Sequence, residues 1–483
     1  MHELYNEKKI KQFCKLSDEL IAKFNNELVI SLTELHFLNA HPEYIKKIKN
    51  FFYTNLNNKQ KKKINILFYI KKLFNFLNYE SNFYFNKKQY FEADYILVSH
   101  ITNLNSLNEK NDFYYDQLPI KLNKENKILL VYINHANLSI SQIKLVVDKF
   151  SIPTLVLPRR NFLLEEMKNF LKIFFFTSKI KKNNKKFSNL FSVNSYPSYL
   201  FNLRILQNFN KVLNIFTPKI VISTFEGHAF ERLVFFLCNT FHNKIKSVGY
   251  QFSILRPIQH ALFRPLAEIY NPKYIYCSGN ISFEKFTRES RYKKTIFDIC
   301  GSPKFHKVKK KKINKKLNTV LVTPEGFISE CKILFNFSLD CAYKYPFIKF
   351  IWRLHPETNI KTVIQELDLS TFPKNIVFSK DTLNDDITKS DFILYRGSSV
   401  CIHALNNGLV PIYLNYKKQL SINPIYFSRS FYINNSDELC NLINKFNKKD
   451  NKVLNKLKII KKTCNNYYTI FKINKFQELI KKL

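Results

Sequence analysis

DFILYRGSSVCIHALNNGLVPIYL, residues 391–414, contains the repeating unit of this fold. DFILY is a short apolar run that reads as a strand, Arg396 and Gly397 make the turn after it, and Ser398 or Ser399 caps a short helix that stops at Gly408. VPIYL then opens a second apolar strand. Strand, helix and strand in one direction predict a parallel sheet covered by helices. The turn also carries chemistry: two hydroxyls and free backbone N–H groups at a helix start suit a phosphate, and Arg396 adds a cation.

The same texture extends in both directions. Toward the C-terminal half it recurs at TVLVTP (319–324), FIKFIW (347–352) and NIVFS (375–379). Earlier it occurs at DYILVSH (94–100), KILLVYI (127–133), TLVLP (154–158), KIVIST (219–224), KSVGYQF (246–252) and YIYCS (274–278). A lysine-rich stretch, KVKKKKINKK (307–316), separates the two series and reads as a solvated linker. The expected organisation is a helical region over 1–90, a first α/β domain over 91–302, a second over 303–450, and an amphipathic helix over 451–483 that packs across the domains or lies on a membrane. At 483 residues the chain is too long for one core, which agrees with this division.

Lys and Arg number 77 against 37 Asp and Glu, a formal charge of +40. Lys, Asn, Ile, Phe and Tyr crowd the chain while Gly, Pro and Trp are scarce, so compositional bias explains most of that charge, with the remainder available to an anionic surface or substrate. Nine cysteines without CxxC or metal-ligand spacing fit a reducing compartment and argue against a disulfide scaffold. The first residues lack the apolar core of a signal peptide, and no apolar run reaches the roughly 18 residues that span a bilayer. A cytoplasmic location, peripheral at the inner face of the membrane, is the expectation.

All seven glycines fall between Gly227 and Gly408, most of them just after a predicted strand. In a chain so poor in glycine these positions are expected to need an unusual backbone or a close approach. Three stretches there carry candidate chemistry. In STFEGHAFERLVFF (223–236) a strand runs into Glu226 and Gly227 and then a helix, where Glu226 can serve as general base and His228 and Glu231 share a face. In FIKFIWRLHP (347–356) a buried strand ends in Arg353, His355 and Pro356, placing a histidine and a cation where a phosphate or ribose could be met. The third is the Arg396, Gly397, Ser398, Ser399 turn. CGSPKF (300–305), with Ser302 and Lys304, and TPEGF (323–327), with Glu325 and Gly326, complete a candidate nucleotide rim.

In their order, these motifs resemble bacterial glycosyltransferases of the two-Rossmann-domain GT-B fold, and more narrowly the sialyltransferase and Kdo-transferase group. EGHAFERLVFF followed by VGYQFS is also similar to surface-carbohydrate biosynthesis proteins of the capsule and O-antigen type, which places Gln251 on the acceptor side. The resemblance implies Glu226 as the base that deprotonates the acceptor, His355 on the nucleotide, and Ser398 and Ser399 on the donor phosphate. It implies an inverting enzyme without metal or other cofactor. Its partners would be a nucleotide-sugar donor, a CMP-sugar among the candidates, a lipid-linked or polysaccharide acceptor, and an anionic membrane surface. Phe225 stands where the group has a first carboxylate, His403-Ala404 where many members have a ribose-binding glutamate, and Phe252 where relatives often have histidine. Two other readings remain. One is transfer of a CDP-linked polyol phosphate, kept open by His228; the other is a basic nucleic-acid-binding protein, which the absence of any RNA- or DNA-binding motif disfavours.

Overall fold

The computed structural model describes residues 82–87, 92–136, 138–183, 196–255, 261–264, 266–303, 316–356, 358–367, 372–416, 421–426 and 430–483, with Lys15, Asp18, Glu19, Ala22 and Lys23. Apart from those few and residues 82–87, which hold a short strand in place of helix, the helical region expected over 1–90 lies outside the described residues, as do Lys304 and most of the lysine-rich linker.

The continuous apolar runs form two sheets. The first contains β1 (Tyr84–Phe85), β2 (Tyr95–Ile101), β3 (Ile128–Asn134), β4 (Thr154–Val156), β5 (Ile220–Thr224), β6 (Lys246–Gln251), β7 (Tyr274–Cys277) and β8 (Ile296–Ile299). Its spatial order is β1-β4-β3-β2-β5-β6-β7-β8, parallel throughout except for β1 at one edge. The second contains β9 (Thr319–Thr323), β10 (Lys349–Trp352), β11 (Ile376–Phe378), β12 (Phe392–Tyr395), β13 (Val410–Leu414) and β14 (Phe431–Ile433), in the order β11-β10-β9-β12-β13-β14 and all parallel. Counted from β2 and from β9, both sheets run third, second, first, fourth, fifth, sixth strand, the Rossmann order. The chain is thus an α/β protein of two Rossmann-like domains, the GT-B type arrangement expected from its sequence.

The helices of the first domain are α1 (Leu118–Asn123), α2 (Ile140–Val147), α3 (Leu163–Asn183), α4 (Tyr196–Phe216), α5 (Ala229–Thr240) and α6 (Asn280–Thr287). Those of the second are α7 (Ile328–Lys344), α8 (Ile360–Leu367), α9 (Leu383–Lys389), α10 (Val400–Asn406) and α11 (Ser436–Asn447). Local chemistry sets several of their starts: Ser139 with Gln142 and Thr382 with Asp385 form capping boxes, and the Asn435 side chain accepts from the Glu438 N–H.

The tail is two helices instead of the single one expected. α12 (Asn451–Cys464) buries Ile460 and Cys464 in the core of the second domain, whereas α13 (Ile473–Lys481) buries Phe476 and Ile480 in the first. Between them the chain crosses beside Ser302, whose N–H donates to the Thr469 carbonyl at 3.1 Å, while the Thr469 N–H donates to Ser278 at 2.9 Å. The apolar face of the tail is therefore spent on packing across the domains.

Trp352 anchors the second core. It is fully buried, stacks on Phe335 at 4.3 Å between ring centroids, and meets Phe372 and Phe378 edge-on. Burial of an aromatic this large stabilises by roughly 2–3 kcal/mol. It also fixes the end of β10, three residues before His355.

Candidate functional site

In a Rossmann sheet the chain order reverses between the first and fourth strands, and ligands bind outside the carboxyl ends there. Here those points lie between β2 and β5 and between β9 and β12. Both are furnished with polar groups.

At the first, His100 is the penultimate residue of β2, His135 follows β3 and His228 follows β5. Their ring centroids are 5.2 Å (His100–His228), 5.5 Å (His100–His135) and 5.9 Å (His135–His228) apart. With Thr102 and Asn103 they line a pocket of about 390 Å³. Among the described residues no group of His, Cys, Asp and Glu is set to hold a metal ion. His100 is fixed from behind: its Nε2 lies 2.6 Å from the Tyr114 hydroxyl, and Tyr114 is in turn oriented by Asp112, which accepts from the backbone N–H of Tyr114 and Tyr115 and from the hydroxyls of Ser99 and Tyr132. Burial raises the Asp112 carboxyl above its ordinary range despite those donors.

The turn leading to His228 is shaped by Glu231. Its fully buried carboxylate accepts from the N–H groups of Glu226, Gly227 and His228 at 2.8–3.1 Å. Gly227 has φ +97°, and a Cβ there would stand 2.6 Å from the Ala261 Cβ, so only glycine lets the 261–264 loop close over this turn. Arg232, fully buried, ties that loop down through the Leu262 carbonyl and Asn271 and lies 4.7 Å over the Phe225 ring. Phe225, in place of a carboxylate, is therefore a core residue.

Glu226 and His228 form a pair: Oε2 to Nε2 is 3.5 Å, with side chains 24% and 20% exposed. Burial works against protonation of His228, but the hydrogen bond to Glu226 and the charge of Glu231 outweigh it and raise its affinity for a proton. Burial likewise lifts Glu231 from 4.5 to about 7 against the favourable charge of His228. Both groups bind protons more tightly folded than unfolded. Their contribution to stability is thus complete below their unfolded values and fades as pH rises through the folded ones. Melting temperature should accordingly fall as pH rises from about 4.5 through about 7, where Glu231 ionises, and further as His228 loses its proton above its ordinary value, and His228→Gln should remove the later part of that fall.

At the second switch point β9 leads to Glu325 and Gly326, β12 to Arg396 and Gly397, and β10 to His355. These residues converge. A Cβ on Gly397 would lie 2.3 Å from a Glu325 carboxylate oxygen, and one on Gly326 would lie 3.0 Å from the His355 ring. Glu325 and Ser398 are buried, whereas His355, Pro356 and Ser399 are exposed.

Other expected residues have different work. Arg396 is buried with its Nε 2.8 Å from Glu330, and Arg353 lies 2.6 Å from Asp386, so both cations proposed for a phosphate already have carboxylate partners. Ser302 belongs to the chain crossing, bridged to Ile470 with its N–H on the Thr469 carbonyl. Gln251 is fully buried, its amide bonded to the Ser253 carbonyl and, more loosely, to Ser278. His403 meets Asn384 at 3.0 Å. His100 and His135 were not among the expected residues, because only the sheet order, which sets β3, β2 and β5 side by side, brings them to His228.

No protein-family model and no curated protein matches this chain. Solved structures do. A calicheamicin glycosyltransferase is similar over 81% of this chain and 98% of its own, at 10% identity and a TM-score of 0.49. The kitacinnamycin glycotransferase is similar over 81% and 99%, at 10% identity and 0.48. A UDP-GlcNAc 2-epimerase from Neisseria meningitidis, solved with UDP-GlcNAc, is similar over 80% and 100%, at 15% identity and 0.46.

Proposed function

We propose that this chain is an inverting glycosyltransferase that moves a sugar from a nucleotide donor to a hydroxyl of a cell-surface glycan precursor at the inner face of the membrane. The observation that carries the reading is the Glu226–His228 pair beside a histidine-lined pocket at a Rossmann switch point. His228 lines the pocket and Glu226 does not, so His228 takes the proton of the acceptor hydroxyl and Glu226 stabilises the imidazolium. This shifts the base from the carboxylate to its neighbour. The acceptor oxygen bonds to the anomeric carbon while the bond from that carbon to the nucleotide phosphate breaks, its electron pair leaving on the phosphate oxygen.

The second switch point holds the nucleotide. Glu325 is the acceptor for ribose hydroxyls, and His355 with the Gly397–Ser399 turn meets the phosphate; the reading requires no metal. A second reading, transfer of a CDP-linked polyol phosphate, is favoured by the histidine at the pocket, and the nucleotide preference separates the two. A thermal-shift screen with CMP, CDP, UDP, GDP and a short RNA tests both. One nucleotide should stabilise the protein, and His355→Ala and Ser398→Ala should each abolish that shift. Stabilisation by RNA alone, unchanged in these variants, would contradict a donor site.

A further inference from the structure

Helix α3 carries apolar residues on its outer face as well as on its inner one. The face it turns to α4 carries Glu166, Asn169 and Ile173, spaced as one side of a helix and all buried. Glu166 is held in a two-point ion pair by Arg204 at 2.6 and 2.7 Å, and Asn169 exchanges hydrogen bonds with Gln207 at 2.9 and 3.0 Å. On the opposite side stand Leu164, 73% exposed, Phe175, 65% exposed, and between them Leu171, also exposed. Met167 borders this ridge on one flank and the exposed Lys168 and Lys172 on the other. A soluble surface helix buries its apolar stripe and shows its polar one. Scattered exposed apolar residues are ordinary, whereas a continuous ridge on the side of a helix that faces away from its packed neighbour marks a surface made for contact.

We infer that the outer face of α3 docks this protein on an anionic lipid surface. An apolar ridge flanked by lysines is the pattern of helices that lie in the membrane interface, where Leu and Phe enter the acyl boundary and lysines meet lipid phosphates. Charge favours lipid phosphates over a second copy of the chain, because an antiparallel two-fold contact across this ridge would set Lys168 and Lys172 against their own equivalents and a parallel one would give these lysines no anionic partner among the ridge residues. Among the described residues no helix is long and apolar enough to cross a membrane, so the contact is with one face of the bilayer. The helix begins a few residues beyond the carboxyl end of β4, the edge of the first sheet where His100, His135 and His228 lie. Docking there brings the pocket to the lipid surface, which would present a lipid-linked acceptor; that last step rests on the proposed transfer, while the docking does not.

The test is co-sedimentation of the full chain with vesicles of phosphatidylcholine alone and with roughly one-third phosphatidylglycerol. Binding to the anionic vesicles is expected. Leu164→Gln with Phe175→Gln, and separately Lys168→Glu with Lys172→Glu, should each weaken it about tenfold or more. Lys452→Glu with Lys458→Glu, the same charge change on α12, should weaken it less than about threefold. Melting curves will show that the variants fold, since every substituted side chain points outward. No vesicle binding, an apolar double variant that binds like the parent, or variants that alter only the oligomeric mass would each overturn the proposal. Nucleotide binding and transfer to a soluble acceptor are read separately, so their failure is not confused with this one.

Discussion

Replacing His228 with alanine is expected to lower transfer by about 10²- to 10⁴-fold, the range a positioned acid–base group supplies, while leaving nucleotide binding at the second switch point intact. The reason is geometric. His228 is the member of the Glu226 pair that lines the pocket, and its backbone N–H is pinned 2.9 Å from the buried Glu231, so the ring is delivered by a fixed turn. Glu226→Gln should cost comparably, because it keeps the shape and removes the charge that raises the proton affinity of His228. The two act as a unit, so the double variant should be little worse than either single one. The measurement is kcat and KM for each variant with a fixed donor. A double variant whose loss is the product of the single losses would mean that the residues act independently.

The second large effect is on the fold. Arg396→Met should destabilise the protein by about 3–5 kcal/mol, because it leaves the fully buried Glu330 as an uncompensated charge. Glu330 lies in the first turn of α7, where the helix dipole favours a carboxylate but cannot replace a guanidinium at 2.8 Å. Replacing both partners by apolar residues, Arg396→Met with Glu330→Leu, should recover most of the loss. Urea denaturation of the three variants checks this. Since Arg396 immediately precedes Gly397 and Ser398, the single variant should also weaken the nucleotide-dependent thermal shift.

Strands buried on both faces are continuous apolar runs, and so KILLVYI, KIVIST, TVLVTP and DFILY could be read directly from the sequence. β1, β8 and β14 were missed because they are short and lie at sheet edges, β1 and β14 being two and three residues long and β8 interrupted by Asp298. The positions of the candidate residues Glu226, His228, Glu325 and His355 could be read because each follows a strand end. The arginines misled: a cation beside a glycine turn reads as a phosphate ligand, and only the fold brings Glu330 to Arg396 and Asp386 to Arg353. Lone histidines at 100 and 135 carry no local signal, since what unites them with His228 is the sheet order, which puts β3, β2 and β5 side by side.

The most direct measurement follows the phosphorus resonances of CMP-, UDP- and GDP-sugars incubated with the protein and a mixture of glycan acceptors. One donor is expected to release its nucleotide only when acceptor is present, at a rate that rises with pH as His228 loses its proton, and His228→Ala should stop the release in a protein that still folds and binds the nucleotide. Release that is indifferent to His228, or no release from any donor by a protein that binds only RNA, would contradict it.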